Sequence, residues 1–539
     1  MMGRQDRDQG QLFYEFKLDD VVPKDHLLRR MNVFVTGVLA DLHQQLRPFY
    51  SDIGRPSVDP ELMIRMLIVG YCYGIRHERR LCEEVKLHLA YRWFCKLDLD
   101  DKVPHHSTFS INRLERFRES DILRHVFERV VAASMANGLV KGEGFAVDAS
   151  VMEANASRYH GKAPEELDWT DAQRQRRAVA EYLGALEAEA KSQDEMDHRN
   201  DAGDGSDGGR EPRSDRKPPK VISPSDPSSA WTAKANKRVL FGYGLNYLID
   251  VEHAVIVDVE ATPARTYDEV AATRTMIERT RRRFELSPKR LAADTAYGTG
   301  RFLAFITGAG IIPHIPVWDM SRRDDGTFSR SEFRFDSRRN VYICPAGETL
   351  TTSGRIHSDH AIRYFASVPR CRGCSLKQRC CPNTPARRIA RDVNEAARDI
   401  ARRKMKTKAF LKSRDQRKRV EMRFAHLKTH HAFERMRLRG LSGARDEFHL
   451  AAIVQTSKPW HSACSGHRPN RRLHELHQWC QRRVSGQTVT ARGPPNQVKL
   501  SSGIEETPTS LTADFFDSIG QQRPKIRCPR CVCFPREQT

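Results

Sequence analysis

The chain has 539 residues, enough for a large core and for more than one domain. Its 91 Lys and Arg outnumber 69 Asp and Glu by a formal charge of +22, which favours a polyanionic partner, nucleic acid first. No apolar run approaches the roughly 20 residues that span a bilayer, and residues 1–10 lack a signal peptide's apolar stretch, so a cytoplasmic protein with no membrane partner is expected, its 13 Cys thiols or metal ligands rather than disulfides.

Residues 1–138 are expected to form a helical domain that binds DNA or dimerises. Asp59-Pro60 reads as a helix start, an N-cap followed by proline at the first helical position. Leu62, Met66, Val69 and Tyr73 recur behind it at helical spacing. A second helix is predicted over residues 77–93, with Leu81, Val85 and Leu89 on its buried side. Ser107 caps a third that carries Ile111, Leu114 and Phe117, and a fourth runs from Asp121 to a left-handed stop at Asn137-Gly138.

Strand-like segments begin at Gly144, where Phe145-Ala-Val147 leads to Asp148. Residues 241–250 and 254–260 read as two more strands joined at Glu252-His253. A helix over 266–283, a strand over 290–293 that reaches Asp294, a helix over 300–308 and a strand over 311–317 follow. With a late basic helix bearing Glu421, the order predicts a mixed α/β sheet flanked by helices over residues 139–455. Two insertions interrupt it. The first, about 152–232, holds a charged helix candidate near 171–192 and a linker at 200–209 with few apolar residues. The second, about 318–400, carries a cysteine cluster.

Asp148, Asp294 and Glu421, far apart in sequence and each on a core element, are what a two-metal phosphodiester site requires: hard divalent ions take oxygen ligands. At about 100° per residue, Arg417, Glu421 and Lys428 share a sector of roughly 40° on the late helix. Val420, Phe424 and Leu427 form an apolar stripe beside that sector. Packing the stripe on the sheet turns Glu421 toward the strands, with basic neighbours placed to reach phosphates.

These three acids resemble the catalytic triad of DDE transposases encoded by bacterial insertion sequences. Asp-x-x-Tyr-Gly at 294–298 resembles that family's second motif, and Arg417-x3-Glu421-x6-Lys428 its third, with Arg414 standing where the family has tyrosine. The phrase at 223–234 and the Cys-bearing insertion before Glu421 resemble one subgroup of the family. The resemblance implies a ribonuclease-H-like fold, with the aspartates on the first and fourth strands. It also implies Mg²⁺ (or Mn²⁺) bound by Asp148, Asp294 and Glu421, double-stranded DNA as partner, and at least a homodimer when two element ends are paired. The implied activity is cleavage at terminal inverted repeats and joining of 3′-hydroxyls to target DNA. Two rivals remain: a DNA-binding remnant that represses its element, and a nuclease without strand transfer.

Between Ala401 and Arg445 stand 16 basic residues against three acidic ones, a one-sign field suited to tracking DNA. Arg414, Arg417, Arg419, Arg423 and Lys428 are the candidate contacts on the helix, and Tyr297 is expected to pack or to touch a phosphate. Cys344, Cys371, Cys374 and Cys380 either hold a structural Zn²⁺ or remain reduced thiols in a small packed knuckle. Residues 456–539 lack helical or strand periodicity and read as a poorly ordered, frame-altered tail in which Cys528 and Cys531 carry no meaning.

Overall fold

The structure is a computed structural model that describes residues 16–54, 56–169, 176–201, 219–233, 238–319 and 323–457, with the side chains of 190 and 192–201 left aside. All of these fall in one compact unit. Most of the 200–209 linker and the sequence after Ser457, with Cys528 and Cys531, lie outside the described residues.

Helices fill residues 18–136. The one predicted from Asp59-Pro60 runs over Pro60–Tyr73, with the Asp59 carboxylate accepting the Glu61 amide at 2.7 Å. Gly74 stops it in a left-handed conformation (φ 73°), and a Cβ there would press on Ala432 at 3.3 Å. The helix expected over 77–93 is two, Glu78–Leu87 and Leu89–Phe94, because His88 adopts an extended backbone and stacks its ring on Tyr91 at 3.9 Å. Leu81 and Val85 are buried as expected. Ser107 is not the cap of the third helix: His105 is, and accepts the Ser107 amide into His106–Leu114. Ile111 and Leu114 on that helix are exposed and Phe109 is buried, while Phe117, expected on the same helix, is buried on the next short one, Arg116–Glu119. The fourth helix, Ile122–Ala136, ends at Asn137 with Gly138 left-handed, as the sequence predicts.

Six strands make the central sheet: β1 (Phe145–Glu153), β2 (Ala230–Thr232), β3 (Leu240–Asp250), β4 (Ile256–Pro263), β5 (Arg290–Ala292) and β6 (Ile312–His314). β1 and β3 pair antiparallel along nine residues, and β4 and the short β2 share the other edge of β3. β5 and β6 continue the sheet beyond β1 in parallel. Setting β2 aside, the order β4-β3-β1-β5-β6, antiparallel then parallel, is the ribonuclease-H-like arrangement. The helix Thr266–Phe284 connects β4 to β5 and Gly300–Gly308 connects β5 to β6. The glutamate-bearing helix is Lys408–His430, and a last helix, Gly440–Ser457, follows.

The cysteine-bearing insertion has a fold that the sequence did not reveal. It contains a five-stranded antiparallel sheet: β7 (Arg334–Asp336), β8 (Val341–Ile343), β9 (Thr349–Thr351), β10 (Ala361–Ala366) and β11 (Arg388–Asp392), each paired with the next. Its own core gathers Phe328, Phe333, Tyr342, Leu350, Tyr364 and Ile389. The first insertion, by contrast, contributes the helix Arg177–Asp201 and a turn at Asp226, whose buried carboxylate accepts the Tyr243 hydroxyl and the Gly440 amide.

One hydrophobic core runs from Val22 through the sheet to Val454, so the amino-terminal helices and the sheet bury apolar surface against each other. Two buried carboxylates fasten that junction. Asp258 on β4 accepts Arg124 at 2.6 Å and Arg279 at 2.9 Å. Glu447 on the last helix accepts the Tyr71 hydroxyl, Arg76 and the amides of Arg437 and Leu438, each at 2.7–3.0 Å. Removing one partner of a buried charge pair strands the other in a dry site at a cost of about 3–5 kcal/mol. Asp258→Ala is therefore expected to lower the melting temperature of the full chain by several degrees, and an exposed exchange such as Asp415→Ala to leave it unchanged in the same melting series.

Candidate active site

Asp148 is not at the end of β1 but in its fourth position, because antiparallel pairing with β3 continues to Glu153. The parallel side stops earlier. Phe145 stands opposite Leu291 and Ala146 opposite Ala292. Continued two residues, that register sets Asp148 abreast of Asp294, on chains that run about 5 Å apart in a sheet. Asp294 has by then left β5 and caps a short 3₁₀ turn, accepting the Ala296 amide at 2.8 Å. Gly298 in the same turn lies under Pro316 and Trp318; a Cβ there would stand 2.0 Å from the Pro316 carbonyl oxygen, so the Asp-x-x-Tyr-Gly spacing needs glycine at its end.

The third acid arrives as its helix predicts. Val420, Phe424 and Leu427 are buried against the sheet, and the Phe424 ring stacks on Tyr247 of β3 at 5.0 Å. That leaves Glu421 half-exposed on the adjoining face. Arg417 links the acids: its guanidinium lies 3.3 Å from Asp148 and 3.0 Å from Glu421. Lys428, two turns further on, donates to the Ser150 hydroxyl at 2.9 Å, also on β1.

Two groups that sequence reasoning missed hold this helix. Ser413 lies in the same angular stripe as Val420 and Phe424 and is buried. Its hydroxyl meets His314 of β6 at 2.7 Å and Arg290 of β5 at 3.2 Å. Burial and the charges of Arg290 and Lys404 push the His314 imidazole down to about 4, so it is neutral at physiological pH. A hydroxyl in an otherwise apolar stripe was the available signal, since a buried polar group must find a partner.

Other candidates separate. Arg414 is on the Glu421 face and exposed. Arg419 and Arg423 lie about 200° from Glu421 on either side. Arg419 donates to the carbonyls of Val251 and Glu252, and Arg423 to that of Gln455 on the last helix; neither faces the acids. Tyr297 is a core residue, buried and packed on Phe302, the first of the two roles expected for it. Cys344, Cys371, Cys374 and Cys380 line a small cavity with Cys381. Among the described residues no group of three or more His, Cys, Asp or Glu is arranged to hold a metal ion, neither these thiols nor the three acids with Glu421 turned to Arg417. Of the two alternatives, the structure supports thiols in a packed knuckle, where burial and the neighbouring Cys381 push the Cys380 thiol up to about 12.

Asp148 carries the electrostatic mark of the site. Burial, opposed by the Ala149 amide and Arg417 and reinforced by the charges of Asp294 and Glu421, pushes its carboxyl up from 3.8 to about 6. A raised carboxyl favours folding while protonated: the contribution is full below pH 3.8 and is lost as pH rises through 6, a swing of about 3 kcal/mol. Asp148→Asn is accordingly expected to melt at the wild-type temperature near pH 4 and several degrees above it at pH 8, both without divalent ions. An unchanged difference across that range in paired melting curves would contradict the placement of the acid.

Residues 16–115 match the family profile described as a Transposase domain (DUF772), and residues 343–456 match that of a Transposase DDE domain. The second match includes Glu421 and its helix. No curated protein matches the chain. Among solved structures, the chain aligns with the piggyBac transposase of a cryo-EM synaptic complex with hairpin DNA, at 10% identity over 88% of this chain and 85% of that one. The TM-score is 0.31, too low to bear on the fold. Among the described residues no helix is long and apolar enough to cross a membrane.

Proposed function

With two transposase segments in one chain, the protein falls among the DDE transposases of insertion sequences, and we propose from that premise that it cleaves phosphodiester bonds at the ends of its element and joins the freed 3′-hydroxyls to target DNA. The observation that carries this reading is Arg417 of the late helix reaching both Asp148 and Glu421, with Asp294 abreast of Asp148 by the sheet register, where the parallel half of the sheet ends. In the proposal all three are catalytic and hold Mg²⁺ or Mn²⁺. The donor set suits hard cations, and the Asp148 carboxyl, raised first by burial and then by its two acidic neighbours, would be lowered by one. Two such ions supply an activated water or 3′-hydroxyl and a stabilised leaving oxygen.

The chain's own residues do the positioning. Asp148 is held in a strand paired on one side, and Asp294 by its turn. Glu421 is half-exposed, free to swing from Arg417 toward the aspartates. Arg417 is a suitable group to exchange its carboxylates for a phosphate oxygen, because its contact with Asp148 is long and its pair with Glu421 is solvated. Arg414 and Lys428 continue that basic face. The reading includes double-stranded DNA as partner and a dimer when two ends are brought together.

Asp148→Asn, Asp294→Asn and Glu421→Gln are each expected to cut Mg²⁺-dependent nicking of the element's end by more than about a hundredfold, beyond what loss of a supporting hydrogen bond costs, with duplex affinity retained in a mobility-shift assay. Wild-type nicking by any of the three would remove that residue from the site. Recovery of joined as well as nicked products separates a transposase from a plain nuclease.

A further inference from the structure

Beyond the acids, positive groups accompany β1 at nearly every second residue. Arg417 stands at Asp148, Lys428 at Ser150 and Val151, and Arg435 at Glu153. The track then enters a cavity of about 530 Å³ between the amino-terminal helices and the loop after the glutamate helix. Arg76, Arg80, Arg435 and Arg437 line it with His77 and Asn155, and no acid is among its lining residues. Its walls are fixed. Arg76 donates to the Ala432 carbonyl, the His431 ring bonds the Tyr71 carbonyl, and Glu153 exchanges backbone hydrogen bonds with Glu434 and Met436.

Four arginines around one recess whose lining holds no acid repel one another except where carboxylates behind them, Glu447, Glu84, Glu153 and Glu78, compensate. Arg76 is satisfied by buried Glu447. The others are not held so firmly: Arg80 has only a solvated pair with Glu84, and Arg435 stands 3.9 Å from Glu153. Arg437 buries its Nε with no hydrogen-bond partner among the described residues. Guanidinium forks match phosphate oxygens in geometry as well as charge. The cavity begins about five strand residues beyond Asp148, roughly 17 Å along β1, a length that B-form DNA covers in about five base pairs.

We propose that this arginine cavity seats a backbone phosphate of the DNA duplex whose scissile bond lies at Asp148, so that the helical amino-terminal region and the catalytic domain grip one duplex together. This assignment rests on the function proposed above. Arg80, Arg435 and Arg437 are its ligands; Arg76 frames it.

The test is fluorescence anisotropy of the full chain with a labelled duplex, in metal-free buffer, across about 50–200 mM salt. Arg80→Gln/Arg435→Gln changes two exposed side chains and should melt like the wild type. It is expected to weaken binding about tenfold and to make the slope of log affinity against log salt shallower by about one, since one phosphate contact contributes close to one. Arg80→Lys/Arg435→Lys should restore most of the slope. Arg281→Gln/Arg282→Gln, which removes the same charge from the exposed helix Thr266–Phe284, should leave it unchanged. Equal losses from both glutamine pairs would reduce the effect to net charge and overturn the assignment. An unaltered slope in Arg80→Gln/Arg435→Gln overturns it too, including the case where only the oligomeric state shifts. A wild type without salt-dependent binding overturns the proposed function along with it, whereas a wild type that binds while Arg80→Gln/Arg435→Gln matches it overturns the cavity alone.

Discussion

Like charge is the constraint around which the face of the three acids is built. Carboxylates on adjacent strands repel by about 3–4 kcal/mol at the effective dielectric of a protein surface, and here a third acid is brought up beside two. The chain meets this with one guanidinium. Arg417 touches Asp148 and Glu421 at once, from the helix that carries Glu421. Arg417 offsets only part of what raises Asp148, where burial comes first and the two neighbouring acids add to it. A fully neutralised site would have no affinity left for cations; a bare one would push its helix away.

Holding the acids together against that repulsion requires the helix to be fastened on both sides of Glu421. Ser413 lies eight residues before it, about 12 Å along the axis, and Lys428 seven residues after, about 10 Å. Ser413 is bonded to β5 and β6, Lys428 to β1. Between these points Val420, Phe424 and Leu427 lie flat on the sheet. Neither sliding nor rotation of the helix is then open to Glu421, and its remaining freedom is that of its own side-chain torsions. The insertion between β6 and this helix is tied in separately: buried Glu395 accepts Arg330, Arg398 and Arg402, so the second sheet is anchored at the start of the segment leading to the glutamate.

Much of this was legible in the chain because the relevant signals are local. Asp59-Pro60, Asn137-Gly138 and the stripe at Val420, Phe424 and Leu427 each state their structure within one helical turn or a few. The strands around Asp148 and Asp294 were legible as apolar runs, but their ends were not: β1 outlasts Asp148 because of pairing with β3, a partner some 90 residues away. The same holds for the insertion sheet, whose strands of three to six residues are too short for periodicity to speak. Tyr297 was left open between two roles. Of the two roles expected for it, packing or a phosphate contact, the buried ring takes the first, which the spacing of its motif alone did not decide. The Cys-x2-Cys spacing likewise left zinc open, and spacing alone says nothing of whether four thiols converge.

The count of basic residues also overstated the charge available to DNA. Of the 16 between Ala401 and Arg445, several are consumed by the protein itself: Arg402 by Glu395, Asp319 and Asp399, Arg417 by the site's acids, Arg419 by two carbonyls, and Arg445 by Glu260. Arg423 turns to the last helix and Arg439 to the Asn155 carbonyl. A formal field is therefore only an upper bound on counterion release, because an arginine that already bridges carboxylates or caps backbone gains less from meeting a phosphate. Selection for a basic helix in this setting acts on two requirements at once. Some of its cations neutralise and brace the acids the fold has forced together, and the remainder, on the face of Arg414 and Lys428, extend outward along β1.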